Sequence, residues 1–322
     1  MIWQKTSPKI IAKYDNGNHR VTLFSDGTKI KETINPDDDH FTYEFPESFD
    51  LKITDYCDAG CVYCHENSTK KGQHANLFYL QKMLDSCKIG TEIAIGGGNA
   101  LAHPQIIALI AKMRSNGLVP SITVNQKHIQ EYFKLIKCLD LAGIGVSLTD
   151  SSNKKDMRLI NELGSNVVIH TIAGILTPKD YSVLRDRKVL ILGYKDIRRG
   201  HDNLSKHSAE IQANIEQLKK DLPMIAKNAR ALSFDCLALK QLNPKECLGM
   251  TDEEFANIYQ GDDYEMFDKS GNLTVGTMFI DAVKMEVARS STAPMDKRYK
   301  FTGSEDIREL FAESSCKPHC RI

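Results

Sequence analysis

The chain has 322 residues, with 42 Lys plus Arg against 42 Asp plus Glu, 41% hydrophobic and 26% charged. A formal net charge of zero excludes a protein whose main task is coating nucleic acid or an anionic membrane. The composition excludes intrinsic disorder, and the length is enough for one large core.

Residues 1–47 read as an N-terminal appendage. Val21–Phe24 and Thr28–Lys31 flank Ser25-Asp26-Gly27, a β-hairpin signal. The acidic Pro36-Asp37-Asp38-Asp39 run reads as a solvated loop. From residue 48 a regular alternation begins. Strands are expected at 48–56, 91–95, 119–124, 144–148, 167–172 and 189–192. Helices are expected at 77–87, 104–114, 128–138, 154–163, 179–187 and 208–228. Six β–α units at this spacing predict a parallel sheet with helical crossovers, of the partial (β/α)6 TIM-barrel kind. A seventh apolar segment, 232–239, could extend it. Residues 243–322 then read as a mixed α+β extension, with seven acidic residues in 252–268 and antiparallel alternation over 277–287.

Within the strands, Ser121, Thr123 and Asn125 alternate with Ile122 and Val124. Gly145, Ser147 and Thr149 alternate in the same way with Val146 and Leu148. If the apolar faces meet the helices, the other face is polar, lined by small residues and open to a ligand.

Nine cysteines cannot all pair within the chain. The start, Met1-Ile2-Trp3-Gln4-Lys5, has no apolar stretch of the secretory kind, and no run is long enough to span a membrane. The expectation is a cytoplasmic protein whose clustered thiols bind metal. The cluster is Cys57-Asp58-Ala59-Gly60-Cys61-Val62-Tyr63-Cys64, three thiols spaced C-x3-C-x2-C directly after the first strand. Soft thiolates at this spacing suit iron–sulfur or zinc. A four-iron cube with three protein ligands keeps one iron open. The zinc alternative would take His65 as a fourth ligand.

With Tyr63 before the last cysteine, this motif resembles that of the radical S-adenosylmethionine (radical SAM) superfamily. The resemblance implies a [4Fe-4S] cluster on Cys57, Cys61 and Cys64, with S-adenosylmethionine (SAM) on the fourth iron. It implies reductive cleavage of SAM to methionine and a 5′-deoxyadenosyl radical, which abstracts hydrogen from a substrate. A one-electron donor such as flavodoxin or ferredoxin is implied as partner. Gly96-Gly97-Gly98-Asn99 resembles the family's glycine-rich motif for the methionyl amine, with Asn99-Ala100 in place of Glu-Pro. Asn125, Ser147 and Gly193-Tyr194-Lys195 lie at expected strand ends, where barrel ligands sit, and are candidate SAM contacts together with Tyr63; Ser147 and Gly193–Lys195 also resemble positions where the family contacts SAM. The resemblance covers about residues 48–240. The chain also resembles a group of bacterial and phage radical SAM proteins without an assigned substrate.

Other candidates are less specific. His170 reads equally as a core histidine or a substrate contact. Asp235, Lys240, Gln241 and Asp281 are candidate substrate contacts. Cys87 and Cys138 read as core thiols. Cys236, Cys247, Cys316 and Cys320 could hold an auxiliary cluster or be free. Residues 185–206 hold seven basic side chains against three acidic ones, a solvated face or an anion site. The substrate expected first is a peptide or protein side chain, then a nucleotide; activation of a glycyl-radical enzyme ranks third. The reading from another class is a non-catalytic iron–sulfur or zinc-binding protein.

Overall fold

A computed structural model describes residues 8–38, 40–259 and 275–315. Two sheets carry the chain. The smaller has three antiparallel strands in the order β1 (Ile10–Asn16), β2 (His19–Phe24) and β3 (Lys29–Thr33). The expected hairpin is its β2–β3 half, turned through Gly27 at φ +90°. Strand β1 was not legible, because Ile10-Ile11-Ala12-Lys13-Tyr14 shows no clean alternation.

The large sheet runs β10-β9-β8-β7-β6-β5-β4-β11-β12-β13. Its parallel part comprises β4 (Ser48–Thr54), β5 (Glu92–Gly97), β6 (Val119–Asn125), β7 (Gly143–Ser147), β8 (Val167–Ile172), β9 (Lys188–Leu192) and β10 (Ala231–Phe234). Each pairs with its sequence neighbour, as β–α crossovers require. The chain then returns: β11 (Thr277–Asp281) pairs parallel to β4 on the far side. β12 (Glu286–Ala288) and β13 (Tyr299–Lys300) continue antiparallel. The antiparallel alternation over 277–287 is therefore the β11–β12 pair. Among the described residues β10 and β13 are the two unpaired edges. What the fold presents is a large, mostly parallel sheet.

The helices are α1 (Gln81–Ser86), α2 (Ile106–Ser115), α3 (Ile129–Cys138), α4 (Lys154–Glu162), α5 (Arg199–Asn228), α6 (Cys236–Leu242), α7 (Pro244–Cys247), α8 (Asp252–Tyr259) and α9 (Ile307–Ser315). Four expectations change. The helix over 77–87 begins as a 3-10 turn, Leu77–Leu80, capped by Asn76. The helix over 179–187 is a 3-10 run, Pro178–Leu184, opened by a Thr177/Asp180 capping box. The helix expected from Ser208 starts at Arg199 and kinks at His207. Its first stretch has a single apolar aliphatic residue, Leu204, so no helical period marked it. Of 232–239, only the first part is strand; from Cys236 it is helix α6, capped by Asp235. The acidic stretch enters α8 and then leaves the described residues.

The alternation in β6 is realised as read: Pro120, Ile122 and Val124 are buried, and Ser121, Thr123 and Asn125 are less so. Ile53, Ile93, Ile95, Val146, Ile169 and Ile191 join one core with α2, α3 and α5. The other face is set by register. Asp50 lies beside Ala94, Ala94 beside Ser121, and Ser121 beside Gly143. One level toward the strand ends, Lys52 lies beside Gly96 and Thr123 beside Gly145; Asn125, Ser147 and His170 form the next row. Small side chains leave this face open.

The small sheet docks at the opposite end from the strand C-termini. Buried His19 and Glu47 pair at 2.6 Å, Lys31 reaches Glu47 at 3.3 Å, and Lys29 pairs with Glu92. No helix among the described residues is long and apolar enough to cross a membrane. Ile95 is fully buried between sheet and helices. Ile95→Ala is expected to destabilise the fold by about 2–5 kcal/mol, measured by denaturant unfolding.

Candidate functional site

The cysteine run begins three residues after β4, at the C-terminal edge of the parallel strands. It folds back on its own stem. Asp55 N–H donates to the Gln73 carbonyl (2.8 Å), Cys57 N–H to Thr69 (2.9 Å) and Thr69 N–H to Asp55 (3.1 Å). The next strand end closes against it. Gly98 N–H donates to the Thr54 carbonyl (2.7 Å) and Asn99 N–H to Tyr56 (2.6 Å). A Cβ at Gly98 would overlap the Tyr56 carbonyl. Gly97 sits at φ +109°, and a Cβ there would lie 2.5 Å from the Thr54 oxygen. Gly96 faces open space, with nothing within 4 Å of where its Cβ would be. Two glycines thus seat the cysteine stem, and the third leaves room on the open face.

The tip of the loop reaches β6. Asn125 donates from Nδ2 to Cys61 Sγ (3.3 Å), and Lys127 Nζ to the Ala59 carbonyl (2.8 Å). His128 Nε2 meets Asp58 at 2.8 Å, and this pair lies within 4.8 Å of the Cys57 sulfur. Burial pushes the Cys57 and Cys61 thiols up, against the Ala59 N–H at Cys57 and Lys127 and Asn125 at Cys61. A metal ion would have to displace these protons, since only the thiolate ligates. Burial and the neighbouring thiols push the Tyr63 phenol up to about 12, so it stays protonated.

A charged layer supports the loop. Lys52, 2% exposed, meets Asp55 (2.6 Å), Glu66 (2.7 Å) and Asp281 (3.2 Å). Burial would lower the Lys52 ammonium, but Glu66 and Asp281 outweigh it and the group is raised. Burial likewise raises Glu66, but His65 and Lys52 hold it far below the carboxylate range. His65, the candidate zinc ligand, is engaged by Lys195 (3.3 Å) and Glu66 (3.3 Å). From the basic segment, Arg198 donates to the His65 carbonyl (2.7 Å) and Arg199 to that of Ser68 (2.6 Å). These side chains brace the cysteine loop, so this part of the segment is no free solvated face.

The remaining predicted residues fall into two groups. Gly96–Asn99, Asn125, Ser147 and Tyr63 gather at the strand ends around the loop. Asn99 is 3% exposed and its Oδ1 has no hydrogen-bond partner among the described residues. At Gly193-Tyr194-Lys195 the edge is held from behind. Gly193 N–H donates to Asp235 (2.9 Å), Tyr194 N–H to Gln241 (2.8 Å), and the Tyr194 hydroxyl to Gly200 (2.9 Å). Asp235 and Gln241 support that edge, and Asp281 is bound to Lys52. Cys87 packs against the core, whereas Cys138 is exposed, contrary to expectation. Cys247 donates to the Leu242 carbonyl at 3.2 Å. Cys316 and Cys320 lie outside the described residues.

Between Tyr63 and the ends of β7 and β8 lies a cavity of about 490 Å³. Leu148, Ile172 and Ile175 give it an apolar wall, and Thr149, Asp150 and Ser151 a polar one. The polar wall is fixed by Gln126, 1% exposed, whose Oε1 accepts from the Thr149 and Asp150 N–H groups at 2.9 Å. Neither Gln126 nor Lys52 is legible in the sequence, since a lone Gln or Lys in a strand-rich segment carries no motif. His170 leans over Gly145, where any Cβ would overlap its ring. Burial lowers its imidazole to about 4.

No protein-family model and no curated protein matches the chain. Solved structures do. Streptococcus suis SuiB bound to precursor peptide SuiA is similar with a TM-score of 0.55 and 14% identity, over 86% of this chain and 66% of that one. SuiB bound to S-adenosylmethionine gives 0.51 and 13%, over 86% and 65%. The chain thus spans just under two thirds of SuiB, and the two share a fold.

Two outcomes test this site. Gly98→Ala is expected to cost about 1–3 kcal/mol, read by thermal or denaturant unfolding, because the Tyr56 carbonyl must move. His170 is expected to titrate near 4 by ring NMR. Its folded value lies below its unfolded one, so its stability contribution is present above about 6.5 and is lost as pH falls toward 4.

Proposed function

We propose that this chain is a radical SAM enzyme acting on a peptide or protein side chain, with a nucleotide as second choice. The observation that carries the reading is the juxtaposition at the strand ends. One loop carries three thiols, an open glycine edge is laced to its stem, and a cavity of about 490 Å³ lies under its aromatic residue. Cys57, Cys61 and Cys64 would hold a [4Fe-4S] cluster, and the chemistry it would supply with bound SAM is radical hydrogen abstraction from the substrate.

The chain's own residues bind and orient. Gly96 lets SAM approach the backbone, and the free Oδ1 of Asn99 accepts from its methionyl amine. That acceptor is a neutral amide where the related motif has a carboxylate, so its acceptor strength does not change with pH. Asn125 orients the Cys61 sulfur, and Ser147 meets the ligand from the next strand. The cavity would take the adenosine, its apolar wall of Leu148, Ile172 and Ile175 suiting the base and its polar wall of Thr149, Asp150 and Ser151 the ribose. The seated loop and filled cavity exclude water from the reacting bond. Electrons come from a flavodoxin- or ferredoxin-like donor.

The fold shared with SuiB, crystallised with SAM and with a precursor peptide, supports both the cofactor and the ranking of substrates. A second reading has a specific observation behind it: Cys57, Asp58 and His128 offer ligand atoms within 4.8 Å of one another, a set suited to zinc without catalysis.

Anaerobic reconstitution with iron and sulfide, followed by dithionite and SAM, separates the two. The enzyme reading predicts 5′-deoxyadenosine and methionine in equal amounts, increased by a substrate peptide and abolished in Cys57→Ala, Cys61→Ala or Cys64→Ala. Stoichiometric zinc alone, lost in His128→Ala, would establish the other.

A further inference from the structure

We infer that Lys52 is a positioning residue that closes the neck of the cysteine loop and ties it to the C-terminal strand β11. The inference rests on the loop being the cluster site, but its geometry is independent of any ligand.

Lys52 stands on β4, five residues before Cys57. Its ammonium touches Asp55, two residues before the first cysteine, and Glu66, two residues after the last. The outgoing and returning arms of the loop are therefore joined through one buried cation. The third partner, Asp281, comes from β11. Asp281 Oδ1 accepts from the Val283 and Lys284 N–H groups (3.1 and 3.0 Å), which fixes the carboxylate and leaves Oδ2 for Lys52. Arg198 approaches the same Glu66 oxygen as Lys52, at 3.6 Å. Two cations thus meet three carboxylates.

The arrangement needs its glycine. A Cβ at Gly97 would lie 2.8 Å from Lys52 Cγ, so the second glycine of the run makes room for the lysine stem as well as for the Thr54 carbonyl. Without the ammonium, buried Glu66 and Asp281 would face part-exposed Asp55 undercompensated, and like charges across the neck would drive it open. Groups behind metal ligands commonly set their orientation and affinity in this way.

The test uses the full-length chain as Lys52→Met, Lys52→Arg and Lys52→Met/Glu66→Gln. In the metal-free protein, hydrogen exchange is followed at the Asp55, Cys57 and Thr69 amides, whose bonds close the neck. Alkylation of Cys57, Cys61 and Cys64 is followed by mass spectrometry, with half-buried Cys87 as internal reference. Lys52→Met is expected to speed exchange and alkylation at the loop by about tenfold or more, with β6–β8 amides unchanged. Lys52→Arg is expected to restore most of the protection, and the double variant part of it, because it removes one repelling carboxylate. After reconstitution, Lys52→Met is expected to lose iron to a chelator about tenfold faster than the unaltered protein.

Unchanged exchange at the neck would overturn the inference, as would an equal rise over the whole sheet, which marks a purely structural role. If the unaltered protein takes up no cluster while Lys52→Met still opens the neck, the proposed function fails and the clamp stands. If the unaltered protein loads and Lys52→Met behaves identically, the clamp fails and the function stands.

Discussion

The site depends on two backbone hydrogen bonds, Gly98 N–H to Thr54 and Asn99 N–H to Tyr56. They bring the end of β5 against the stem of the cysteine loop, at a spacing no side chain at 97 or 98 would permit. Everything else at the strand ends follows from that closeness. The thiols are carried over the open face, Gly96 is left bare beside them, and the tip of the loop reaches Asn125, Lys127 and His128 on the next β–α unit. Glycine is entropically expensive in a strand. Here its cost is offset by a juxtaposition that a bulkier residue would abolish.

Charge is balanced locally even though the chain total is zero. Three basic residues of 185–206, Lys195, Arg198 and Arg199, meet the cysteine loop and the acids flanking it. Lys52 and Arg198 stand among Asp55, Glu66 and Asp281, while Arg199 and Lys195 hold the returning arm. Buried ions of this kind contribute little net stability and chiefly fix geometry.

Much of this was legible. The spacing of Cys57, Cys61 and Cys64, the Gly96–Gly98 run and the alternation in β6 are legible in residue types and spacing, while the SAM roles of the first two come from the family resemblance. Each depends on neighbours close in sequence, where period and spacing carry the information. The misses are non-local. Lys52 gains its meaning from Asp281, more than 200 residues away; Gln126 from Thr149 and Asp150; Asp235 and Gln241 from the edge they brace. The return of β11 to pair with β4 follows from no local pattern either, because the sequence between them holds the whole parallel sheet. Helix α5 began early for a related reason: the stretch from Arg199 bonds polar groups of the cysteine loop and lacks an apolar stripe.

We propose that the cysteine loop and the glycine edge form one site, for a cluster with an open iron and for the SAM that completes it. Electron paramagnetic resonance of the reduced, reconstituted protein, recorded with and without SAM, tests that claim most directly. The account predicts a [4Fe-4S]⁺ signal whose g-values shift when SAM is added, and no such signal in Cys61→Ala. A cluster signal indifferent to saturating SAM, or a protein that takes up zinc and no iron, would contradict it.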